Sequence, residues 1–215
     1  MKSSHRKIGI SLRIVKAENY DEQRDALSHD WVLLLENLGF HPILIPNSLS
    51  DLELFLKDLE LDGLILSGGD NIGDTPIRDN VEREIINYSI KEKIPLIGVC
   101  RGMQILNQYF SGAVTKTNSQ DHVNIHHNLR IIHPQFSNFL TDSINVNSFH
   151  KNLITQEILG KDLKSFANYE RDNTVEGFFH IKYPILGVMW HPERENNSIT
   201  KLIINKLFLL NKFWD

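Results

Sequence analysis

Apolar residues along the chain form short unbroken runs, separated by stretches in which they recur every three or four positions. Residues 7–12 (KIGISL), 41–46 (HPILIP), 63–67 (GLILS) and 95–99 (PLIGV) are the runs, each long enough for one buried strand. Between the first two, Leu27, Trp31, Leu34, Leu35 and Leu38 predict a helix over 25–38, stopped by Gly39. Ser50 with Glu53 three residues on predicts a capping box for a helix to about Leu59. Val81, Ile85, Ile86 and Ile90 line one side of a helix over 79–93, and another helix runs from Cys100 to about Phe110. Continuously apolar strands that alternate with helices belong to a parallel sheet covered on both faces. The expected fold is α/β: three layers, a mostly parallel sheet with helices on both sides. Ligands of such sheets bind beyond the C-terminal strand ends, which here carry Gly68-Gly69 and Cys100.

From residue 111 the pattern changes. Residues 113–116, 128–133, 164–169 and 175–180 predict short strands with polar turns, a small antiparallel addition rather than a second domain, since no linker composition intervenes. Residues 183–190 (YPILGVMW) return to a buried strand, and 197–213 closes the chain as an amphipathic helix. Residues 1–215 are therefore expected to form a single domain, with a core large enough to stand alone.

Composition narrows the function classes. A hydrophobic share of 41% and a charged share of 23% are those of a soluble globular protein. The net charge of −4, with no block of either sign, argues against a nucleic-acid binder built on a basic face. It leaves room for a local patch that takes a small anion. One cysteine excludes an internal disulfide and a multi-cysteine zinc site. No apolar run approaches a membrane span, and Arg13 and Lys16 break the N-terminal one with no small-residue cleavage site after it. The cytoplasm is the expected compartment, with no membrane partner.

The single cysteine lies in Gly98-Val99-Cys100-Arg101-Gly102-Met103-Gln104, between a buried strand and a helix. A tight turn there needs flanking glycines and pushes the apex side chain out of the sheet. A thiol at a helix N-terminus is biased toward thiolate. An isolated cysteine is commonly no more than a small buried apolar residue, so its partners decide the matter. The last core strand ends in Trp190-His191-Pro192-Glu193. His191 there can serve as the base a thiol nucleophile needs, and Glu193 as the acid that fixes its tautomer. Backbone N–H groups of Gly69 and Arg101 can hold the oxyanion formed when a carbonyl is attacked. A surface histidine, a solvated carboxylate and a plain turn are the ordinary readings of these residues one by one. Their coincidence at one sheet edge carries the weight.

Together, the Gly-Val-Cys-Arg-Gly-Met-Gln elbow, the Ser-Gly-Gly loop and His-Pro-Glu resemble the class I (triad) glutamine amidotransferases, with their flavodoxin-like sheet. Cys-Arg-Gly-Met-Gln with Asn147-Ser148-Phe149-His150 is similar to the free-standing hydrolase branch, the γ-glutamyl-γ-aminobutyrate hydrolase-like proteins of peptidase C26 type. Within it the chain looks like the bacterial hydrolases of γ-glutamyl-CDP-amidate that act in capsular phosphoramidate synthesis. The resemblance implies hydrolysis of a γ-glutamyl amide through a cysteine thioester, with CDP-L-glutamine giving L-glutamate and cytidine diphosphoramidate, and no cofactor or metal. It also implies that Gln104, Asn147, Ser148, Phe149 and His150 hold the glutamyl α-amino and α-carboxylate groups. The residues alone agree loosely: Gln104 is one helical turn beyond Cys100, and the later segment reads as a polar loop. Asp70 departs from the family, many of whose members have proline there, and is expected to alter the loop or repel a second anion. Other readings are a glutaminase subunit that delivers ammonia to a synthetase partner and a non-enzymatic α/β binding module, the latter disfavoured by an intact His191–Glu193 pair.

Two other groups draw notice. His122, His126, His127 and His133 lack a recognised ligand spacing, and a strand would send neighbours to opposite faces, so no metal is expected there. Arg13, Lys16, Arg24, His29 and Arg171 are candidates for a phosphate-binding patch, Arg13 best placed, just beyond the first strand.

Overall fold

A computed structural model describes residues 5–195 and 198–214. In chain order the elements are β1 (Arg6–Ser11), β2 (Arg13–Lys16), β3 (Gln23–Ala26), α1 (His29–Asn37), β4 (Phe40–Ile45), α2 (Leu52–Leu59), β5 (Gly63–Leu66), α3 (Pro76–Glu92), β6 (Leu96–Val99) and α4 (Arg101–Tyr109). There follow β7 (Thr115–Lys116), β8 (Val123–Ile131), α5 (Pro134–Ser137), β9 (Ser143–Phe149), β10 (Asn152–Leu153), β11 (Leu163–Tyr169), β12 (Val175–His180), β13 (Ile185–Val188) and α6 (Ser198–Leu210).

Nine strands form one sheet in the order β4-β1-β5-β6-β13-β12-β11-β8-β9. The first five run parallel and the remaining pairings are antiparallel. The α/β architecture is the expected one, but the antiparallel part is no small addition: its four strands continue the core sheet. Residues 143–149 (SINVNSF) alternate, with Ile144 and Val146 buried, and this period of two makes a strand of a segment expected to be a polar loop. Side chains of successive strand residues feed two cores, one per sheet face. Ile65 and Ile97 pack with Trp31 and Leu35 of α1 and Phe208 of α6, whereas Leu64, Leu66 and Leu96 pack with α2, α3 and α4.

Three boundaries differ from the sequence reading for local reasons. The first helix begins at His29, capped by Ser28, whose hydroxyl accepts from the Asp30 N–H at 3.3 Å. The residues before it form β3, which pairs with β2 as a hairpin, so the Leu27 spacing was not helical. The cap of α2 is Asp51, whose carboxylate accepts from the Leu54 N–H at 2.9 Å, rather than Ser50. Helix α3 starts at Pro76 because proline suits the first helical turn, where its missing N–H has no partner to lose. The expected start of the closing helix, Asn197, lies outside the described residues.

The parallel strands deliver the chemistry to one edge. There β5 runs into Ser67-Gly68-Gly69, β6 into Cys100, and β13 into the segment that ends at His191.

Candidate active site

Cys100 sits at φ 51°, ψ −106°, between β6 and α4. L-residues rarely adopt a positive φ of this kind, and it is held here from both sides. The Cys100 N–H donates to the Val188 carbonyl at 2.8 Å, and the Cys100 carbonyl accepts from the Gln104 N–H at 3.1 Å. The flanking glycines are required by space. A Cβ on Gly98 would lie 2.4 Å from the Gly102 carbonyl oxygen, and one on Gly102 would lie 2.1 Å from that of Leu66.

His191, 4% exposed, has its Nδ1 2.7 Å from Oε1 of Glu193 and hydrogen-bonds to the Cys100 thiol. Burial alone would lower the His191 pKa, but the hydrogen bonds to Cys100 and Glu193 and their negative charge push it up to about 9. For Cys100, burial works toward the thiol; the hydrogen bond and charge of His191, the charge of His150 and the Arg101 N–H outweigh it and lower the pKa. Both shifts favour the thiolate–imidazolium form of the pair, and the Glu193 contact orients the ring. Asn147 on β9 clamps the backbone of His191 from both ends: its Oδ1 accepts from the His191 N–H at 2.8 Å and its Nδ2 donates to the His191 carbonyl at 2.9 Å. Gly68 passes under the ring, where a Cβ would come within 2.8 Å of His191 Cε1.

The glycine loop is fixed by buried charge. Arg78, fully buried on α3, donates to the Ser67 carbonyl at 2.8 Å and the Gly68 carbonyl at 3.1 Å. Its Nε meets Glu82 at 3.0 Å, and Glu82 also accepts from Ser11 of β1 and pairs with Arg101, which in turn pairs with Asp79. One ionic network thus ties the Gly68-Gly69 loop to Arg101, the residue after Cys100. Asp70 faces this network, 3.9 Å from Arg78 Nη1, and Arg78 compensates the charge expected to disturb the loop. Gly69 has φ +132° and lies between Arg13 and Arg78, whose guanidinium nitrogens stand 3.0 Å from where its Cβ would be.

Two cavities flank the Cys100–His191 pair. One, of about 290 Å³, is lined by Gly69, Cys100, Gln104, Phe149, Lys151 and Asn152, among others, with the His150 ring in its wall. The other, of about 300 Å³, has Arg13, Ser28, Trp31, His191, Glu193 and Arg194 in its lining. Phe149 stands between them, with its ring edge-on to His191 at 5.9 Å and under the Arg194 guanidinium at 4.4 Å.

The residues implied by resemblance divide. Gln104 is in the first cavity, where its Oε1 accepts from Asn152 Nδ2 at 3.1 Å. Phe149 forms the wall. Asn147 is engaged by His191, and the Ser148 hydroxyl donates to the His122 carbonyl at 2.8 Å. Both His150 nitrogens face protein: Nδ1 is 3.0 Å from the Asn152 carbonyl and Nε2 is 3.4 Å from Glu176. Of the suggested basic patch, Arg13 lines the second cavity; Lys16 and Arg24 pair with Asp21 and Glu22 on the exposed hairpin, and Arg171 pairs with Asp121. His29 is exposed at the start of α1. Sequence reasoning missed Arg194, Asn152 and Lys151, which follow motif residues directly, and the Arg78–Glu82 pair, whose i,i+4 spacing reads as a solvated helix face.

The four clustered histidines separate. His126 is exposed and pairs with Glu195 at 2.5 Å, and His133 packs on Phe179. His122 and His127 join His150 around Glu176, all four buried.

Residues 8–193 match the Peptidase C26 family. The chain is 33% identical to the γ-glutamyl-CDP-amidate hydrolase of Campylobacter jejuni over 95% of this chain and 98% of that one. It is 25% identical to the anthranilate synthase component 2 of Saccharolobus solfataricus, over 88% and 95% of the two chains. Among solved structures, a glutamine amidotransferase from Thermotoga maritima superposes with a TM-score of 0.65 at 16% identity, covering 96% of this chain and 84% of that one. PurLQS from the same organism gives a TM-score of 0.67 at 19% identity, covering 97% and 100%. Among the described residues, no helix is long and apolar enough to cross a membrane.

Proposed function

The chain belongs to the Peptidase C26 family and is an amidohydrolase, and from that premise we propose that it cleaves a γ-glutamyl amide whose leaving group carries phosphate, with γ-glutamyl-CDP-amidate as the substrate. The observation that carries this reading is the position of the Cys100–His191 pair between two cavities, the second of which presents Arg13 and Arg194. The glutamyl group occupies the first cavity, against Gln104, Asn152 and Lys151. The phosphorylated group occupies the second, where guanidinium groups suit phosphate oxygens.

In this mechanism the Cys100 thiolate attacks the glutamyl δ-carbonyl carbon, and the oxyanion accepts hydrogen bonds from the Gly69 and Arg101 N–H groups. The oxyanion collapses, the carbon–nitrogen bond breaks, and the His191 imidazolium gives its proton to the departing nitrogen. Water then attacks the thioester while His191 takes a proton from it. The carbon–sulfur bond breaks, which releases glutamate and restores the thiolate. The match to the C. jejuni hydrolase over nearly both full lengths supports the CDP-linked substrate; a place in capsule phosphoramidate chemistry, in the cytoplasm, is part of the same proposal.

The test is glutamate release from γ-glutamyl-CDP-amidate, γ-glutamyl-γ-aminobutyrate and free glutamine by the purified protein. The expected result is a preference of at least about 100-fold in kcat/KM for the nucleotide conjugate, the contribution of one or two charge-assisted phosphate contacts. Arg13→Ala should remove about tenfold or more of it without changing cleavage of free glutamine. Equal rates on all three would overturn the substrate. The likeness to anthranilate synthase component 2 supports a second reading, a glutaminase that works within a synthase complex; its signature would be glutamine cleavage that rises only when a synthetase partner is added.

A further inference from the structure

Behind the wall of the first cavity, the buried carboxylate of Glu176 on β12 is faced by three imidazoles. His122 Nδ1 is 3.7 Å from its Oε1, His150 Nε2 is 3.4 Å from the same oxygen, and His127 Nε2 is 3.7 Å from Oε2. All four side chains are at most 5% exposed. None of these facing atoms makes a well-formed hydrogen bond. The buried carboxylate, whose pKa the charge of the facing imidazoles lowers to about 2 against the upward push of burial, is therefore held by charge at a distance, and a buried charge without close partners is costly. The gaps lie beyond the roughly 2.7–3.2 Å of well-formed N–H···O hydrogen bonds. The His150–Glu176 gap equals the roughly 3.3–3.4 Å that separates two ligands of one tetrahedral ion when each lies about 2.0–2.1 Å from it. The His122–Glu176 gap is wider at 3.7 Å, and the ligand atoms of His122, His150 and Glu176 all lie within 4.8 Å of one another, close enough to draw in around one ion.

The outer contacts point the same way. The far nitrogen of His122, Nε2, is 2.8 Å from Asp172, which is itself held by the Thr174 N–H at 3.0 Å and hydroxyl at 2.8 Å. The far nitrogen of His150, Nδ1, is 3.0 Å from the Asn152 carbonyl. These two imidazoles are thus each oriented through one nitrogen and turn the other toward the common point, as metal-ligating histidines do.

We propose that His122, His150 and Glu176 form a binding site for a divalent transition-metal ion, zinc by its donor set, with His127 on the outer oxygen of Glu176. The ion ties the turn before β8, the end of β9 and strand β12 together directly behind the Cys100 cavity. Its role is to fix the His150 wall, and no step of the hydrolysis passes through it.

The test uses the full chain carrying Cys100→Ser, so that the thiol cannot bind the ion, stripped with chelator and titrated with Zn²⁺ alone and with Co²⁺ alone. The expected result is one ion per chain, a tetrahedral cobalt spectrum and a raised melting temperature. Glu176→Gln and His122→Gln should each weaken binding at least about 100-fold, and Asp172→Asn about tenfold, while His126→Ala, outside the cluster, leaves it unchanged. Failure to retain an ion, or equal retention by a folded Glu176→Gln protein, overturns the site; in that case protonated imidazoles neutralise Glu176. If Glu176→Gln does not fold, the cobalt spectrum of the parent decides, because an octahedral, water-like spectrum overturns the proposal equally.

Discussion

Asn147 grips His191 by the backbone, accepting from its N–H at 2.8 Å and donating to its carbonyl at 2.9 Å, across 44 residues of sequence. Both atoms of a buried side-chain amide are thereby engaged in holding a loop whose imidazole, in the proposed mechanism, acts on the Cys100 thiol. Asn147→Ala removes both bonds. It should lower kcat about 10–100-fold with KM little changed, and lower stability by about 1–3 kcal/mol. Steady-state kinetics with a thermal melt checks this; a raised KM at unchanged kcat would instead make Asn147 a substrate contact.

The elbow glycines should tolerate nothing larger. A Cβ on Gly102 would collide with the Leu66 carbonyl at 2.1 Å, and backbone cannot swing away as a side chain can. Gly102→Ala should therefore separate α4 from β5 and cost about 3 kcal/mol or more, read as a lowered melting temperature. An alanine variant as stable as the parent would mean that β5 and α4 approach less closely than described.

The charge state of the pair has a pH signature. The Cys100 pKa is lowered and that of His191 is raised to about 9, shifts that both favour the thiolate–imidazolium form and keep the His191 proton in place up to about pH 9. Turnover should hold near neutrality and fall above pH 9, as His191 loses the proton that the leaving nitrogen needs. Alkylation of Cys100 by iodoacetamide should persist there. Glu193→Gln removes a charge that keeps the proton on His191, and should move the alkaline limb down by about one unit. A limb left in place would show that Glu193 does not act on His191.

Acid stability rests in part on His180. It is 2% exposed, and its Nδ1 accepts from the Lys182 N–H at 3.0 Å and the Tyr183 N–H at 3.1 Å. Burial, with Lys182 and Lys212 against the opposing pull of Asp162, lowers its pKa to about 4. The unfolded chain, at its ordinary 6.5, binds the proton first as pH falls. The stabilisation is therefore full above pH 6.5 and lost between pH 6.5 and 4, on the order of 3 kcal/mol in all. Melting temperatures over this range should fall for the parent and fall less for His180→Gln, which keeps an acceptor and does not titrate. Parallel curves would contradict the assignment.

The parallel half of the fold was legible because its strands are continuous apolar runs and its helices keep their period. At the candidate site, Cys100, His191 and Glu193, picked out where chemistry and chain direction coincide, are the residues that the structure brings together. Three things were hidden for physical reasons. The hairpin of β2 and β3 is polar and exposed, so the helical spacing that opens on Leu27 extended the expected helix back into its last residues, Asp25 and Ala26. Arg78, Asp79 and Glu82 carry charge at positions that look solvated, and only the packing of α3 against the sheet edge shows them buried under the glycine loop. The meeting of His122, His127 and His150 on Glu176 comes from antiparallel pairing across 54 residues, which no ligand spacing announces.

The most direct measurement is intact-protein mass spectrometry after acid quench of a reaction with γ-glutamyl-CDP-amidate, followed by peptide mapping. A glutamyl adduct on Cys100 is expected, absent from a Cys100→Ala protein that folds normally and does not turn over. Turnover by Cys100→Ala, or an adduct on any other residue, would contradict the thioester mechanism.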